Sequence, residues 1–181
     1  REFVKRVKRE TGLTLEVVTG DVEASLSYRS VAHHFQLNDK RALITDIGGG
    51  SLEVVGAVNG LVEITSSLPL GAVRLTEMWL LGDRSTQKEV GDLRRWVRKR
   101  LRKALTRREW TNAAMIGSGG TFTNLARMVR GRRGFDIGEA VHGEIVTTAE
   151  VEQMLEWLQT KTSEERSAVP GLNPQRADII L

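Results

Sequence analysis

The sequence contains no cysteine and has few histidines and prolines. Without cysteine the chain cannot form disulfides, iron–sulfur clusters, cysteine-ligated zinc sites or a catalytic thiolate. The three histidines, His33, His34 and His142, are too few for a metal cage built of imidazoles. No apolar run approaches the roughly 20 residues of a membrane-spanning helix, and the charged start REFVKRVKRE does not resemble a signal peptide. These absences predict a cytoplasmic protein with no membrane contact.

The composition is that of an ordinary globular domain. Of the 181 residues, 40% are hydrophobic and 28% are charged, which suffices for a buried core and argues against wholesale disorder. The chain begins at Arg1 and ends within the apolar run ADIIL, whereas natural domains usually end in polar residues. We therefore expect the chain to be a piece of a longer protein.

Positive charge is concentrated in two segments. The net charge is +4, and the segment from Arg94 to Arg108 carries nine arginine or lysine residues and no acid. A second cluster consists of Arg127, Arg130, Arg132 and Arg133. Such clusters fit a polyanionic partner, but they equally fit a solvated helix face. The sequence leaves both interpretations open.

Runs of apolar and β-branched residues predict the strands. Residues 41–46, 51–58 and 61–68 predict an antiparallel meander, whose two turns are the glycines after Asp46 and the pair Asn59-Gly60. Further strands are predicted over 13–20, over 113–120 and at the start of 144–161.

Helical spacing of apolar residues predicts helices around these strands. The predicted helices cover 2–10, 21–35, 71–81, Ser85 or Thr86 to about Arg108, 121–129, Thr147 or Thr148 to 161, and a first turn over 176–180. The apolar positions of the longest helix lie on one face, so its basic residues form the outer face; they are Leu93, Trp96, Val97, Leu101, Ala104 and Leu105. The pattern predicts an α/β fold with a mixed sheet flanked by helices.

Two of the predicted strands end in glycine-rich turns, ITDIGGGS and MIGSGGT. Glycines at a strand end allow backbone N–H groups to cluster around an anion, and a helix N-terminus after the turn strengthens the effect. Either turn alone is more often only a tight turn, but together they predict phosphate binding. The candidate phosphate-binding residues are Gly48, Gly49, Gly50, Ser51, Gly117, Ser118, Gly119, Gly120 and Thr121.

Three carboxylates accompany these turns. Asp46 ends a predicted strand and is the candidate ligand for Mg2+, because hard cations prefer oxygen ligands. Glu53, on the next strand, and Glu23, at a helix start, are candidates for orienting or deprotonating a water molecule. The alternative for each is an ordinary surface carboxylate or a helix cap.

The order of the motifs resembles the Ppx/GppA family of exopolyphosphatases and guanosine pentaphosphate phosphohydrolases. The motifs are VVTGDVEASL, DIGGGSLEVV, SLPLGAVRLTE, IGSGGTFTNLA and PGLNPQRADII, and they span nearly the whole chain. The resemblance implies an RNase H-like fold of the actin-like, sugar kinase and Hsp70 superfamily. It also implies Mg2+-dependent release of terminal phosphate from polyphosphate, or conversion of pppGpp to ppGpp, by a homodimer.

The resemblance also implies roles for single residues. Glu23 matches the family's catalytic base, although Val22 stands where the family usually has a second acidic residue. Asp46 and both glycine turns match its phosphate loops, and Leu52 replaces the usual threonine before Glu53. By the same likeness, Arg74 is expected to face the substrate cleft.

The family's catalytic core has two similar lobes, which predicts how this chain is organised. Residues 1–40 match the end of the first lobe and a crossover helix, and residues 41–181 match a second lobe truncated at its C-terminus. The first lobe's own phosphate loop has no counterpart here. We therefore expect the isolated chain to be inactive.

Two other functions remain as alternatives. An ATP-using kinase or chaperone-type member of the superfamily would use the GSGG turn for adenosine, although SLPLGAVRLTE speaks against it. A polyanion-binding module would use the basic helix. Nucleic acid is not the expected partner, because Trp96 falls on the apolar face and leaves no exposed ring for stacking on bases.

Overall fold

The computed structural model describes residues 2–105 and 109–181. Its helices are α1 (Glu2–Thr11), α2 (Gly20–His34), α3 (Ala72–Trp79), α4 (Gln87–Ala104), α5 (Gly119–Arg132), α6 (Thr148–Gln159) and α7 (Ser163–Ser167), followed by a 3-10 turn at Pro174–Arg176. Its strands are β1 (Arg41–Ile47), β2 (Leu52–Val58), β3 (Leu61–Leu68) and β4 (Ala114–Ser118).

The four strands form one mixed sheet in the order β3-β2-β1-β4. Strands β1, β2 and β3 make the predicted antiparallel meander, whereas β4 pairs with β1 in parallel. The parallel pair requires a crossover, which α3 and α4 supply between β3 and β4. The predicted α/β fold with a mixed sheet and flanking helices is confirmed.

Helix α2 covers one face of the sheet. Its buried residues Ala24 and Val31 pack in one cluster with Ala42, Ile44 and Val55 of the two central strands. Alternate residues of a strand point to opposite faces, so Asp46 and Glu53 lie on this same face. The helix therefore places its first turn beside both carboxylates.

Helices α3 and α4 cover the opposite face. Leu52, Val54 and Leu70 form the buried cluster there, and α4 adds most of its predicted apolar positions, namely Trp96, Val97, Leu101 and Leu105. Helix α4 begins after Thr86, one of its two predicted starts, and a capping box between Thr86 and Glu89 stabilises this start. The helix ends at Ala104, and the predicted extension to Arg107 and Arg108 lies outside the described residues.

A third cluster lies beyond the sheet, between α5, α6 and the C-terminal segment. Its buried members are Met128, Val129, Met154, Leu158, Val169, Leu172 and Ala177. Arg166 is only 3% exposed and donates to the carbonyls of Leu158, Lys161 and Ala177. This cluster fixes the C-terminal segment against α5, which starts at the second glycine turn.

Three predicted elements differ in the structure. The predicted strand over 13–20 is irregular chain up to Thr19, and Leu13, Leu15 and Val17 are exposed. The predicted strand at the start of 144–161 is also irregular, and 176–180 forms turns rather than an α-helix. The first two predictions failed because a strand needs a hydrogen-bonded neighbour, and the described sheet provides none there. No described helix has the length and apolarity to cross a membrane.

Candidate functional site

Four polar residues form one row across the whole sheet. Asp46 of β1 pairs with Glu53 of β2 on one side and with Ser118 of β4 on the other. Glu53 in turn pairs with Ser67 of β3. Directly paired residues direct their side chains to the same face, which is the face covered by α2. We call Ser67, Glu53, Asp46 and Ser118 the polar row.

The carboxylate of Asp46 is held from both neighbouring elements. Its Oδ2 atom accepts hydrogen bonds from the hydroxyls of Ser27 on α2 and Ser118, each at 3.3 Å. On its other side lies Gly119, whose φ of +83° is accessible mainly to glycine. A Cβ at Gly119 would lie 2.2 Å from Oδ1 of Asp46. The second glycine turn therefore packs directly on the carboxylate that ends β1.

The first glycine turn is anchored through its carbonyl groups to the start of α3. The amide of Ala72 donates to the carbonyl of Gly48 at 2.9 Å, and the amide of Arg74 donates to that of Gly49 at 3.1 Å. The side chain of Arg74 donates through Nε to the carbonyl of Gly50 at 3.0 Å. Arg74 thus positions the turn, and its expected contact with substrate stays a prediction.

This anchoring determines where the amides of the turn point. In a planar trans peptide the N–H lies opposite the preceding C=O. Because three successive carbonyls face α3, the amides of Gly49, Gly50 and Ser51 face away from α3. Successive N–H groups on one side form an anion-binding concavity. The close approach also explains Gly71, where a Cβ would lie 2.3 Å from the carbonyl carbon of Gly50.

The second glycine turn leads from β4 into the 14-residue helix α5. The first N–H groups of a helix lack intrahelical partners and attract anions. Thr121 ties this helix start to β1, because its hydroxyl donates to the carbonyl of Ile47 at 3.3 Å. Arg176 adds a positive charge: its Nη1 donates to Thr121 Oγ1 at 3.5 Å, and a Cβ at Gly120 would lie 2.3 Å from its Nη2. The turn therefore places a guanidinium beside the start of α5.

Glu23 lies in the first turn of α2 and its side chain is exposed. The negative charge of Glu53 is the main cause that raises the pKa of Glu23, followed by burial and by the charge of Asp46. Glu53 itself is 2% exposed and accepts a hydrogen bond from Ser67 at 2.9 Å. The structure therefore brings the three predicted carboxylates into one electrostatic group beside the two glycine turns.

The donor set fits a magnesium ion bound together with a phosphorylated ligand. No described cluster of three or more histidine, aspartate or glutamate side chains could enclose a metal. Mg2+, however, commonly uses only one or two carboxylates and completes its shell with water and phosphate oxygens. Asp46 lies beside the second glycine turn, and the mutual repulsion of the carboxylates favours a nearby cation.

The sequence did not reveal three of the residues that build this site. Arg176 reaches Thr121 from 55 positions away, and Ser27 reaches Asp46 from a separate helix. Nothing in their local sequence indicates these partners. Gly71 carried a usable signal, because it lies in the motif SLPLGAVRLTE between a predicted strand and helix, where a close backbone approach favours glycine.

The mixed sheet, with a carboxylate between two glycine turns, is the architecture of a lobe of the actin-like fold. Solved structures share this architecture. The chain belongs to the Ppx/GppA phosphatase family, whose sequence model matches residues 1–181. Both the family resemblance and the fold predicted from it are thereby confirmed.

Individual relatives agree with this assignment. Exopolyphosphatase 2 of Mycobacterium tuberculosis is 34% identical over 175 residues, which are 93% of this chain and 53% of that protein. Exopolyphosphatase 1 of Mycobacterium bovis is 32% identical over 182 residues, which are 99% of this chain and 52% of that protein. The chain thus spans about half the length of the curated relatives it matches.

Solved structures share the fold over nearly the whole length of this chain. The Aquifex aeolicus member of the Ppx/GppA family matches with a TM-score of 0.81 and 32% identity, over 99% of this chain and 57% of that one. An exopolyphosphatase from Cytophaga hutchinsonii matches with a TM-score of 0.82 and 25% identity, over 99% of this chain and 58% of that one.

Proposed function

We propose that the protein hydrolyses phosphoanhydride bonds and releases the terminal phosphate of inorganic polyphosphate, of pppGpp, or of both. The observation that carries this proposal is the position of Glu23, whose carboxylate shares one electrostatic group with Asp46 and Glu53 beside two anion-binding turns. Membership of a phosphatase family and the names of the relatives support the same reaction class.

In this proposal Glu23 is the general base. A water molecule attacks the terminal phosphorus, its proton passes to the carboxylate of Glu23, and the bond to the bridging oxygen breaks. A base is more effective when its pKa is closer to the working pH, and the neighbouring negative charges raise the pKa of Glu23. Glu53 therefore contributes to the reaction through its charge.

The remaining groups bind and orient the phosphates. In this proposal the amides of Gly49, Gly50 and Ser51, which face away from α3, and those at the start of α5 donate to phosphate oxygens. Phosphoryl transfer depends mainly on such positioning and charge stabilisation. Mg2+ held by Asp46 would neutralise charge on the phosphates, as the resemblance implies.

The alternatives receive less support. Membership of a phosphatase family speaks against an ATP-using kinase or chaperone-type member of the superfamily. Between the two hydrolase substrates, relatives named exopolyphosphatase favour polyphosphate. Both substrates carry the terminal phosphoanhydride that the proposed site would cleave.

The test is phosphate release from polyphosphate and from pppGpp by the full-length protein, because this chain spans about half the length of its curated relatives; it is measured side by side with and without Mg2+. Glu23→Gln should keep substrate affinity and lose about a hundredfold to ten-thousandfold in turnover, which is the usual contribution of a general base. Asp21→Asn is the matched control, because it removes one charge from the same helical turn. Nearly full activity of Glu23→Gln would remove Glu23 from the mechanism.

A further inference from the structure

The outer face of α4 carries a row of cations that the proposed reaction does not use. Arg95, Arg98, Lys99 and Arg102 are all exposed. At 3.6 residues per turn they fall within about a third of the helix circumference and extend over about 10 Å along its axis. We call these four residues the α4 basic face.

Most of this charge is not neutralised by neighbouring acids. Arg95 pairs with Asp92 on the preceding turn, but no ion pair among the described residues involves Arg98, Lys99 or Arg102. Unpaired cations on one helix face repel one another, which weakens the helix. An anionic ligand would relieve that repulsion.

The second basic cluster of the sequence differs in this respect. Arg130 and Arg133 form ion pairs with the acids that surround α5, namely Glu139, Glu144 and Glu150. Arg132 lies over the ring of Trp157, with its guanidinium carbon 5.5 Å from the ring centroid. These three residues join α5 to its neighbours, so of the two basic clusters the α4 basic face has more unpaired charge among the described residues.

Two contacts place the α4 basic face away from the glycine turns. Helix α3 starts at the first turn and extends over eight residues, about 12 Å, before Trp79 at its end meets Trp96 of α4 with ring centroids 5.8 Å apart. Shortly after α4, the carbonyl of Glu109 accepts from Arg41 at the start of β1. Arg41 lies about 17 Å along the strand from Asp46.

We propose that the α4 basic face binds inorganic polyphosphate at a distance from the site that cleaves its terminal phosphate. This inference rests on the proposed function for its substrate class. A linear chain of phosphates presents negative charge at short regular intervals, and cations on successive helical turns can contact it in sequence. A chain that is long enough can contact both sites at once, whereas tripolyphosphate is too short to bridge them.

The surroundings of the α4 basic face favour polyphosphate over other polyanions. Single-stranded nucleic acids are usually bound with aromatic rings that stack on bases. The ring of Trp96 instead packs on Trp79 and beneath Arg100, whose guanidinium carbon is 4.3 Å from the ring centroid. A membrane-surface helix inserts its apolar face into lipid, but the apolar face of α4 is packed against the sheet.

The experiment compares two triple variants that remove the same charge. One carries Arg98→Gln, Lys99→Gln and Arg102→Gln on the α4 basic face. The control carries three lysine-to-glutamine changes at exposed positions on α1 and before β1, namely Lys5, Lys8 and Lys40. Both are made in the Glu23→Gln protein, so that binding is measured without turnover, and circular dichroism verifies the fold of each.

The probes are long-chain polyphosphate, tripolyphosphate and a single-stranded oligodeoxynucleotide, titrated over a range of salt concentrations. The α4 variant should bind long-chain polyphosphate about tenfold more weakly. By analogy with single-stranded nucleic acids, its log–log salt slope should fall by about 2 for three lost contacts. Its affinity for tripolyphosphate should equal that of the control.

Two outcomes would overturn the inference. One is an α4 variant that matches the control in its affinity for long-chain polyphosphate and in its salt slope. The other is an oligodeoxynucleotide that binds more tightly than polyphosphate and loses its affinity in the α4 variant, which would assign the face to nucleic acid. Failure of the proposed function is a separate result, because it would appear as absent phosphate release by the full-length protein that retains Glu23.

Discussion

Replacing Gly119 by alanine tests whether the second glycine turn and Asp46 form one packed unit. Gly119 has a φ of +83°, and a Cβ there would lie 2.2 Å from Oδ1 of Asp46. No rotation of a methyl group relieves that overlap, so the carboxylate must move. We expect this movement to break the hydrogen bonds that Ser27 and Ser118 donate to it.

The expected magnitude has two parts. Placing alanine in the left-handed region costs about 1–2 kcal/mol. Hydrogen bonds to a charged group contribute about 1.5–3 kcal/mol each, and the 3.3 Å lengths of these two place them at the lower end. Losing both adds about 3 kcal/mol. Gly119→Ala should therefore lower the free energy of unfolding by about 4–5 kcal/mol.

Gly134 provides a matched control. Its φ is +81°, and a Cβ there would have no atom within 4 Å, so Gly134→Ala should cost only the backbone part of about 1–2 kcal/mol. Urea unfolding of both variants measures the difference. In an Asp46→Ala background the carboxylate is absent, and Gly119→Ala should then cost no more than Gly134→Ala.

Equal destabilisation by Gly119→Ala and Gly134→Ala would refute this reasoning. So would a cost of Gly119→Ala that is unchanged when Asp46 is replaced by alanine. Either result would mean that the turn tolerates a side chain without disturbing the carboxylate, and that the two do not form a packed unit.

Two further predictions concern pH. Glu53→Gln removes the main charge that raises the pKa of Glu23, so the acidic limb of the kcat/KM profile for phosphate release should shift to lower pH. Glu150 has its pKa lowered to about 2, chiefly by the hydrogen bond from Arg133. A lowered pKa stabilises the fold above the usual carboxylate range and is lost as pH falls towards 2, so Glu150→Gln should flatten the fall of Tm between about pH 4.5 and 2.

Each of these predictions has a control variant that removes one other exposed carboxylate. Glu63→Gln on β3 removes an exposed carboxylate four residues along the strand from Ser67, the partner of Glu53, and should leave the kcat/KM profile in place. Glu156→Gln on α6 should leave the acid dependence of Tm unchanged. A profile that shifts to higher pH in Glu53→Gln, or a Tm curve as steep in Glu150→Gln as in the parent, would contradict the assigned charges.

The sequence predicted most elements because their signals are local. The turn Asn59-Gly60, the start of α4 after Thr86 and the apolar face of α4 all occur where the sequence indicates them. The prediction of a strand over 13–20 was wrong. Alternating apolar residues indicate that a segment suits a strand, but whether it forms one depends on a neighbouring strand with which it can pair. No described strand lies alongside it.

The candidate site was predictable only in part, for a similar reason. Glycine turns and strand-end carboxylates are visible in sequence, and Glu23, Asp46 and Glu53 do lie together. Arg176 was not predicted, because its contact with Thr121 depends on how the C-terminal segment packs against α5. The charge of Arg130 and Arg133 was visible, but the acids that pair with them lie on other segments.

The polar row makes the site sensitive to the lengths of the strands. Inserting one residue in β1 or β2 near the row would turn Asp46 or Glu53 to the opposite face, into the apolar layer under α3 and α4. The β-bulge between Gly56 and Ala57 lies between this row and the turn at Asn59-Gly60. It accommodates a one-residue shift in strand pairing, so a one-residue change at that turn does not alter the pairing of Glu53. Insertions and deletions should therefore be tolerated at the Asn59-Gly60 end of the sheet and rejected at the end that carries the glycine turns.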